Sequence, residues 1–341
     1  PATQHLIFNP QACAKACSFP NLLALSSTTQ VQQAYSAPPM LRLSNFGPHA
    51  RMLGMVILWG ASWPAGRIVA QAMPPLAAAS LRFVLALLVL LPWMYHSGGF
   101  AQLKNWSTKR WMGMALGGFV GVFGYASLFL SGLQYLPAGK AALLITLNPV
   151  VTLLLAVWLF KERLNAIIGL GMTMAFCGAI IVISQGNPLH ILQGQLGLGE
   201  WLILGCVACW VGYTLLGRWV MNGVDALSAT AVTASFGTLF LIVASLLVEG
   251  PAGVQAALHS GWSAWGALLF LAFGATALAY AWFFDGVKRL GAGAAAGYIT
   301  LVPVVGVAVS ALLLHEALDT SLLIGGTLAV LGTAIMQRGR R

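Results

Sequence analysis

Charge is what this chain has least of. Asp and Glu number 7, and charged residues make up 7% of the 341 positions, against about a quarter in a soluble domain. So few charges cannot coat a water-soluble fold in which 59% of residues are apolar, because the surplus apolar surface would face water. A lipid bilayer removes that difficulty. Cysteine is scarce too. The 5 cysteines are too few and too unevenly placed for a disulfide framework. Cys206 and Cys209 form a C-x-x-C inside the apolar run ILGCVACWVGY, with no further Cys or His beside it in sequence, so helix packing explains them better than a metal.

Other absences narrow the function. No G-x-x-x-x-G-K-[ST] occurs: Ala138, Gly139 and Lys140 lack the upstream glycine and the following hydroxyl, so the chain carries no ATP motor of its own. His5, His49, His96, His190, His259 and His315 fall in the N-terminal segment, in loops or at helix ends, which leaves no intramembrane base or metal cluster. An enzyme, a metal and a cofactor are therefore not expected. Glu162, Glu200, Asp225, Glu249, Asp285, Glu316 and Asp319 all sit near helix ends, so a midplane carboxylate acting as a proton switch is missing as well. The net charge of +10 could suggest nucleic acid, but the basic residues are scattered through short loops with no dense stripe, and no nucleic-acid partner is expected.

What is present is apolar sequence in long runs. Windows of about twenty residues predict helices at 52–72, 75–95, 111–133, 138–160, 165–184, 199–217, 225–248, 265–285, 292–314 and 319–337. Residues 1–50 differ: rich in Ser, Gln, Pro and Asn, without Asp or Glu, they read as a polar leader, and the functional protein is expected to begin near Met40. With the N-terminus inside, Lys104, Lys109, Arg110, Lys161, Arg163, Arg218, Lys288, Arg289 and the tail Arg338 to Arg341 all lie inside. The two long outer loops, after the fifth and seventh helices, have no Lys or Arg. Both termini are thus expected in the cytoplasm.

The two halves repeat. A shift of about 154 residues aligns AGKAALLITLNPVVTLLLAVWLFKERL with AGAAAGYITLVPVVGVAVSALLLHEAL without a gap, pairing Thr146 with Thr300, Pro149 with Pro303 and Glu162 with Glu316. The same register pairs Trp111 with Trp265, Phe129 with Phe283, and Gly178 with Gly332. Each repeat holds an odd number of helices, so the copies lie upside down relative to one another, as in many secondary transporters. The fold class expected is an all-α integral membrane protein of ten transmembrane helices in two inverted five-helix repeats, 51–186 and 197–341.

On these residues the sequence resembles a known family. WGASWPAGRIVAQAMPPLAAASLRF, Trp59 to Phe83, looks like the first two helices of the EamA family of the drug/metabolite transporter superfamily. ALLITLNPVV…FKERL and its repeat look like that family's helices 4 and 9. The resemblance runs from about residue 51 to the C-terminus. It implies ten helices, inverted repeats and export or exchange of small metabolites such as amino acids, with an architectural role for Glu162 and Glu316.

Candidate binding residues follow from depth. Trp63 and Trp210 lie close to the midplane, and Tyr125, Tyr213, Tyr280 and Tyr298 add hydroxyls at intermediate depth; each offers an apolar wall with a polar handle, or simply packs. Arg82 lies roughly 10 Å inside the second helix, where an uncompensated charge costs at least ~2–3 kcal/mol. It can clamp carbonyls and helix ends or face a cavity and attract a carboxylate, and the residues weigh towards the clamp. Arg67 is expected to snorkel outwards, and Lys140 to sit at the interface. Asp285 reads as a salt-bridged helix end. Pro149 and Pro303 interrupt the fourth and ninth helices near the midplane as candidate helix breaks or gates, freeing the carbonyls of Ile145 and Ile299 beside Thr146 and Thr300. Asn148 opposite Val302 supplies asymmetry at a position expected to face a wet cavity. Glycines such as Gly117, Gly121, Gly293 and Gly297 suggest sliding seams, which could equally support a homodimer.

The function expected is a carrier of a small polar or amphipathic solute, exporting or exchanging it by alternating access across a bacterial inner membrane. A passive channel and a non-transporting scaffold or sensor are the alternatives. A channel wants a continuous polar stripe, and these helices show only sparse polar positions.

Overall fold

The apolar runs form helices, because a helix satisfies its own backbone hydrogen bonds where lipid supplies none. In a computed structural model, residues 47–160, 165–187, 189, 193, 196–220 and 223–339 are described. Ten helices among them are long and apolar enough to span a membrane: α1 (Pro48–Ala72), α2 (Pro75–His96), α3 (Thr108–Tyr135), α4 (Ala138–Leu159), α5 (Ala166–Ile183), α6 (Leu198–Gly217), α7 (Ala226–Val248), α8 (Trp262–Leu290), α9 (Gly293–Leu314) and α10 (Thr320–Gly339). Every predicted helix is present. The polar leader lies outside the described residues up to position 46, while Pro48–Ala50 already form the first turn of α1. An even number of spans puts the start of α1 and the end of α10 on one face, the termini face; the opposite one is the distal face.

The starts of the helices are written locally. Proline opens α1 and α2, where its missing N–H is no loss. Side chains cap others: the amide of Ile168 donates to Asn165 (2.8 Å), that of Ser228 to Asp225 (2.8 Å) and that of Leu322 to Asp319 (2.6 Å). Donation from the Ser321 hydroxyl and the Leu322 amide holds the Asp319 carboxyl below the usual carboxylate range.

Two irregularities repeat in both halves. The π-helical turns Gly118–Gly124 in α3 and Phe270–Leu278 in α8 stand at equivalent places in the repeats. Breaks interrupt α4 after Leu144 and α9 after Ile299. The threonines beside the freed carbonyls do not bond them. The Ile145 carbonyl is taken by the Asn148 amide (2.9 Å). Thr146 and Thr300 instead donate three residues back, to Leu143 and Gly297, at 2.6 Å each. A hydroxyl reaches the carbonyl one turn behind it more easily than one beside it.

The repeats interlock. α1 packs between α3 of its own repeat and α8 and α9 of the other, and α6 packs against α3 and α4. A Cβ on Gly60 would lie 2.5 Å from Val305 Cγ1 and one on Gly306 2.9 Å from Ala142 Cβ, so α1, α4 and α9 meet on glycine. In the expected seam, Gly117 admits Thr233 and Gly121 admits Tyr213, whereas nothing packs within 4 Å of a Cβ on Gly293. α5 and α10 form the most extensive pairing, with Gly171, Gly178, Gly325 and Gly332 at backbone contact.

Packing is unequal on the two faces. The distal half of α4, Ala138–Leu144, is buried throughout and packs on Val302–Leu314 of α9. The other half, Leu147–Phe160, packs on α5 and α6, and among the described residues no comparable packing joins it to Ala292–Ile299. Thus α4 and α9 close against each other at the distal face and separate towards the termini face.

Candidate functional site

Where the repeats meet at intermediate depth, aromatic residues of four helices converge. Trp63 of α1 is buried and stands edge-on to Phe129 of α3, with ring centroids 5.1 Å apart. Tyr125 stacks on Phe129 at 6.0 Å and reaches Trp210 of α6 at 5.9 Å, and Trp210 in turn meets Tyr213 at 6.5 Å. Tyr280 of α8 lies against Trp59 of α1 at 5.3 Å. The π turns help set this up, since each ends just before the tyrosine it positions, Tyr125 in α3 and Tyr280 in α8.

Arg82 of α2 is the one cation in this cluster among the described residues. Its guanidinium carbon lies 5.2 Å from the Phe83 ring centroid and 5.9 Å from that of Phe129. The phenols of Tyr125 and Tyr280 are within electrostatic reach. Nη2 donates to Thr276 Oγ1 at 3.1 Å, and the Thr276 hydroxyl donates to the Leu271 carbonyl at 2.8 Å inside the π turn. Nε is shielded and has no partner.

Six of the sequence candidates therefore come together: Trp63, Arg82, Tyr125, Trp210, Tyr213 and Tyr280. Others do not join them. Tyr298 bonds the His49 ring at 2.6 Å at the termini face. Thr300 spends its proton on Gly297. Asn148 is buried, its Oδ1 without a partner, and Leu147 beside it packs with Val207 and Val211 of α6. Val302 is half-buried and packs with the Met52, Met55 and Val56 cluster. Pro149 and Pro303 follow the two helix breaks. Trp59, Phe129 and Thr276 complete the cluster without having been singled out for it; the WGASWP run already placed Trp59 one helical turn from Trp63.

The two deep arginines have different surroundings. Arg67, expected to snorkel, donates to the carbonyls of Leu133 (3.3 Å) and Leu136, and its Nε lies 3.5 Å from Glu316. It is the clamp. Glu316 accepts from the amides of Ala138 (2.7 Å) and Gly139 (2.9 Å), closing the first turn of α4 from the opposite repeat. Glu162, its mate, lies outside the described residues. Glu249 does the same for α2, accepting from Leu76 (2.8 Å) and Ala77 (2.7 Å). Lys140, in the first turn of α4 at the distal face, is buried and paired with Glu200 at 2.7 Å, beside a distal cavity of about 230 Å³ that also touches Glu316 and Asp319. Asp285 is bridged by Arg51 (2.6 Å) and Arg289 (2.8 Å).

Among the described residues no group of three or more His, Cys, Asp or Glu could hold an ion. Cys206 directs its Sγ at the Tyr125 carbonyl (3.6 Å) and Cys209 packs against Gly124, so the C-x-x-C serves the α3–α6 contact.

Ten spans in two repeated halves around an aromatic cluster define a multi-pass membrane transporter fold. The profile of the EamA-like transporter family matches residues 50–184 and again 197–338, and the chain belongs to that family. It is 31% identical over 281 residues, 82% of this chain and 90% of the other, to the uncharacterized transporter YyaM of Bacillus subtilis (strain 168). It is also 29% identical over 292 residues, 84% and 93% of the two chains, to a probable amino-acid metabolite efflux pump of Salmonella typhimurium. A solved protein structure superposes over 85% of this chain and 96% of its own with a TM-score of 0.58 at 21% identity, a likeness of fold.

Proposed function

We propose that this protein is a secondary carrier that exports or exchanges a small amphipathic metabolite by alternating access, with its termini face in the cytoplasm. The observation that carries this is the aromatic and arginine cluster between two repeats whose α4 and α9 close at one face only. Such a site, blocked on one side and flanked by a helix pair free to separate, suits a carrier better than a pore. Relatives named as transporters and as amino-acid metabolite efflux pumps support a metabolite cargo. The Lys and Arg of the loops support the orientation and a cell inner membrane. Reconstitution tests the reading: saturable counterflow of labelled amino acids in proteoliposomes is expected, whereas single-channel currents would replace the carrier by a pore.

Topology gives a direct check. Single cysteines at Lys109 and Lys288 should resist impermeant thiol reagents in intact cells, and one at Ala256 should react. Labelling of both lysine positions from outside would sink the orientation.

Asn148 offers a second. Its buried, unpartnered carbonyl oxygen costs about 1–3 kcal/mol in the described conformation, a cost relieved if transport brings it a partner. Asn148→Val should leave folding intact, or slightly firmer, while changing substrate affinity or selectivity in counterflow. Unchanged kinetics in the purified variant would remove Asn148 from the transport cycle.

A further inference from the structure

We propose that Arg82 is the docking point for the carboxylate of the transported solute, so that the carrier selects acids and zwitterions and rejects their uncharged or cationic amides. This rests on the carrier reading above and adds to it the chemistry of the cargo.

A guanidinium inside a membrane protein needs either a protein anion or several carbonyls to replace its lost hydration. Arg82 has neither. Its single hydrogen bond goes to the Thr276 hydroxyl, no carboxylate contacts it among the described residues, and Nε is shielded and unpartnered. The contrast with Arg67 is instructive, because that side chain meets two carbonyls and Glu316. A residue kept only for architecture would be expected to look like Arg67.

The surroundings hold Arg82 ready without neutralising it. The Thr276 proton is committed to Leu271, so its oxygen can only accept from the guanidinium, which fixes the plane of the fork. The faces of Phe83 and Phe129 favour a cation while offering no hydrogen-bond acceptor. A carboxylate accepts two parallel N–H bonds from such a fork. One guanidinium balances one carboxylate, whereas a phosphate dianion would leave excess charge in a site with no second cation among the described residues. The rest of the solute then meets Tyr125, Trp210 and Tyr280, whose rings and hydroxyls suit an apolar or aromatic side chain. At the repeat spacing Arg82 corresponds to Phe236, so the charge exists in one half only. A solute with an acidic end and an apolar end fits that asymmetry.

The test uses the full chain in phosphatidylcholine nanodiscs, with thermal unfolding followed by tryptophan fluorescence. Free L-amino acids and their C-terminal amides are the matched probes. At least one free acid should raise the midpoint, its amide should bind about tenfold or more weakly, and Arg82→Gln should abolish the difference. Arg82→Lys should retain part of it. Thr276→Val, which keeps the charge but loosens the fork, should weaken the acid several-fold; it serves as the deciding variant if Arg82→Gln does not accumulate. Equal stabilisation by acid and amide, no stabilisation by any acid, or an undiminished acid effect in these variants overturns the proposal. Counterflow separates it from the broader reading. Wild-type flux with unaltered acid selectivity in Arg82→Gln leaves a carrier without this docking point, and no flux of any solute removes the carrier itself.

Discussion

Glu316→Ala is expected to lower the unfolding free energy by about 3 kcal/mol, because two charge-assisted hydrogen bonds are lost together. Its carboxylate holds the amides of Ala138 and Gly139, at the positive end of α4 and within a wholly buried segment. Alanine leaves both N–H groups without acceptors and removes the carboxylate beside Arg67. Glu316→Gln should fall between, since its one carbonyl oxygen cannot serve both amides as well as two carboxylate oxygens do. The effect has a direction as well as a size. These bonds join α4 to the loop after α9, so their loss weakens the distal closure selectively. Ser310 is fully buried, and its Cβ would lie 3.8 Å from a Cβ on Gly139. A cysteine at Ser310 should therefore react faster with thiol reagents applied from the distal side when Glu316 is replaced. Unfolding and Ser310→Cys labelling both unchanged by Glu316→Ala would show that Glu316 is not what holds this face.

Gly178→Leu should be the most damaging single substitution tested, costing about 3 kcal/mol or more through overpacking. A Cβ at Gly178 would run into the Ala329 amide nitrogen and lie 2.5 Å from the Gly325 carbonyl oxygen. Both obstacles are backbone, so no side chain can turn aside to make room, and α5 and α10 must part. Gly169 on the same helix gives the control. A Cβ there meets nothing within 4 Å, so Gly169→Ala should be neutral or slightly stabilising, as alanine favours the helix. Thermal unfolding in one lipid composition compares the two. A Gly178→Leu midpoint matching that of Gly169→Ala would mean that the helices do not meet as described.

What could be read from the chain was position along each helix. What could not was rotation about its axis. Length and hydropathy place α5, and proline with threonine places the breaks in α4 and α9. Yet a span apolar on every side carries little of the stripe that tells a core-facing position from a lipid-facing one. Tyr125 and Tyr298 therefore looked equivalent, although one reaches Trp210 and the other His49. The same holds for Arg67 and Arg82: their depths were legible, their partners were not. The π turns escaped for another reason. They need small residues and tertiary contacts such as Gly118 on α7, and GFVGVFG reads equally well as ordinary helix. The distal caps made by Glu249 and Glu316 join residues separated by 172–178 positions, a distance that helix-end chemistry alone does not bridge.

The α5–α10 contact also bears on how such a chain could have arisen. Gly171 meets Met336, and Gly325, the counterpart of Gly171, meets Val182, the counterpart of Met336. Gly178 meets Ala329, just as its counterpart Gly332 meets Ala175. Each contact is returned by its mirror pair, which is the defining property of an isologous interface between two copies of one surface. A free five-helix protein carrying this glycine face, inserted in both orientations, could pair with itself through the same contacts before any covalent link existed. Gene duplication followed by fusion would then have preserved an interface that had already been selected, and only afterwards could residues such as Arg82 and Phe236 diverge between the halves.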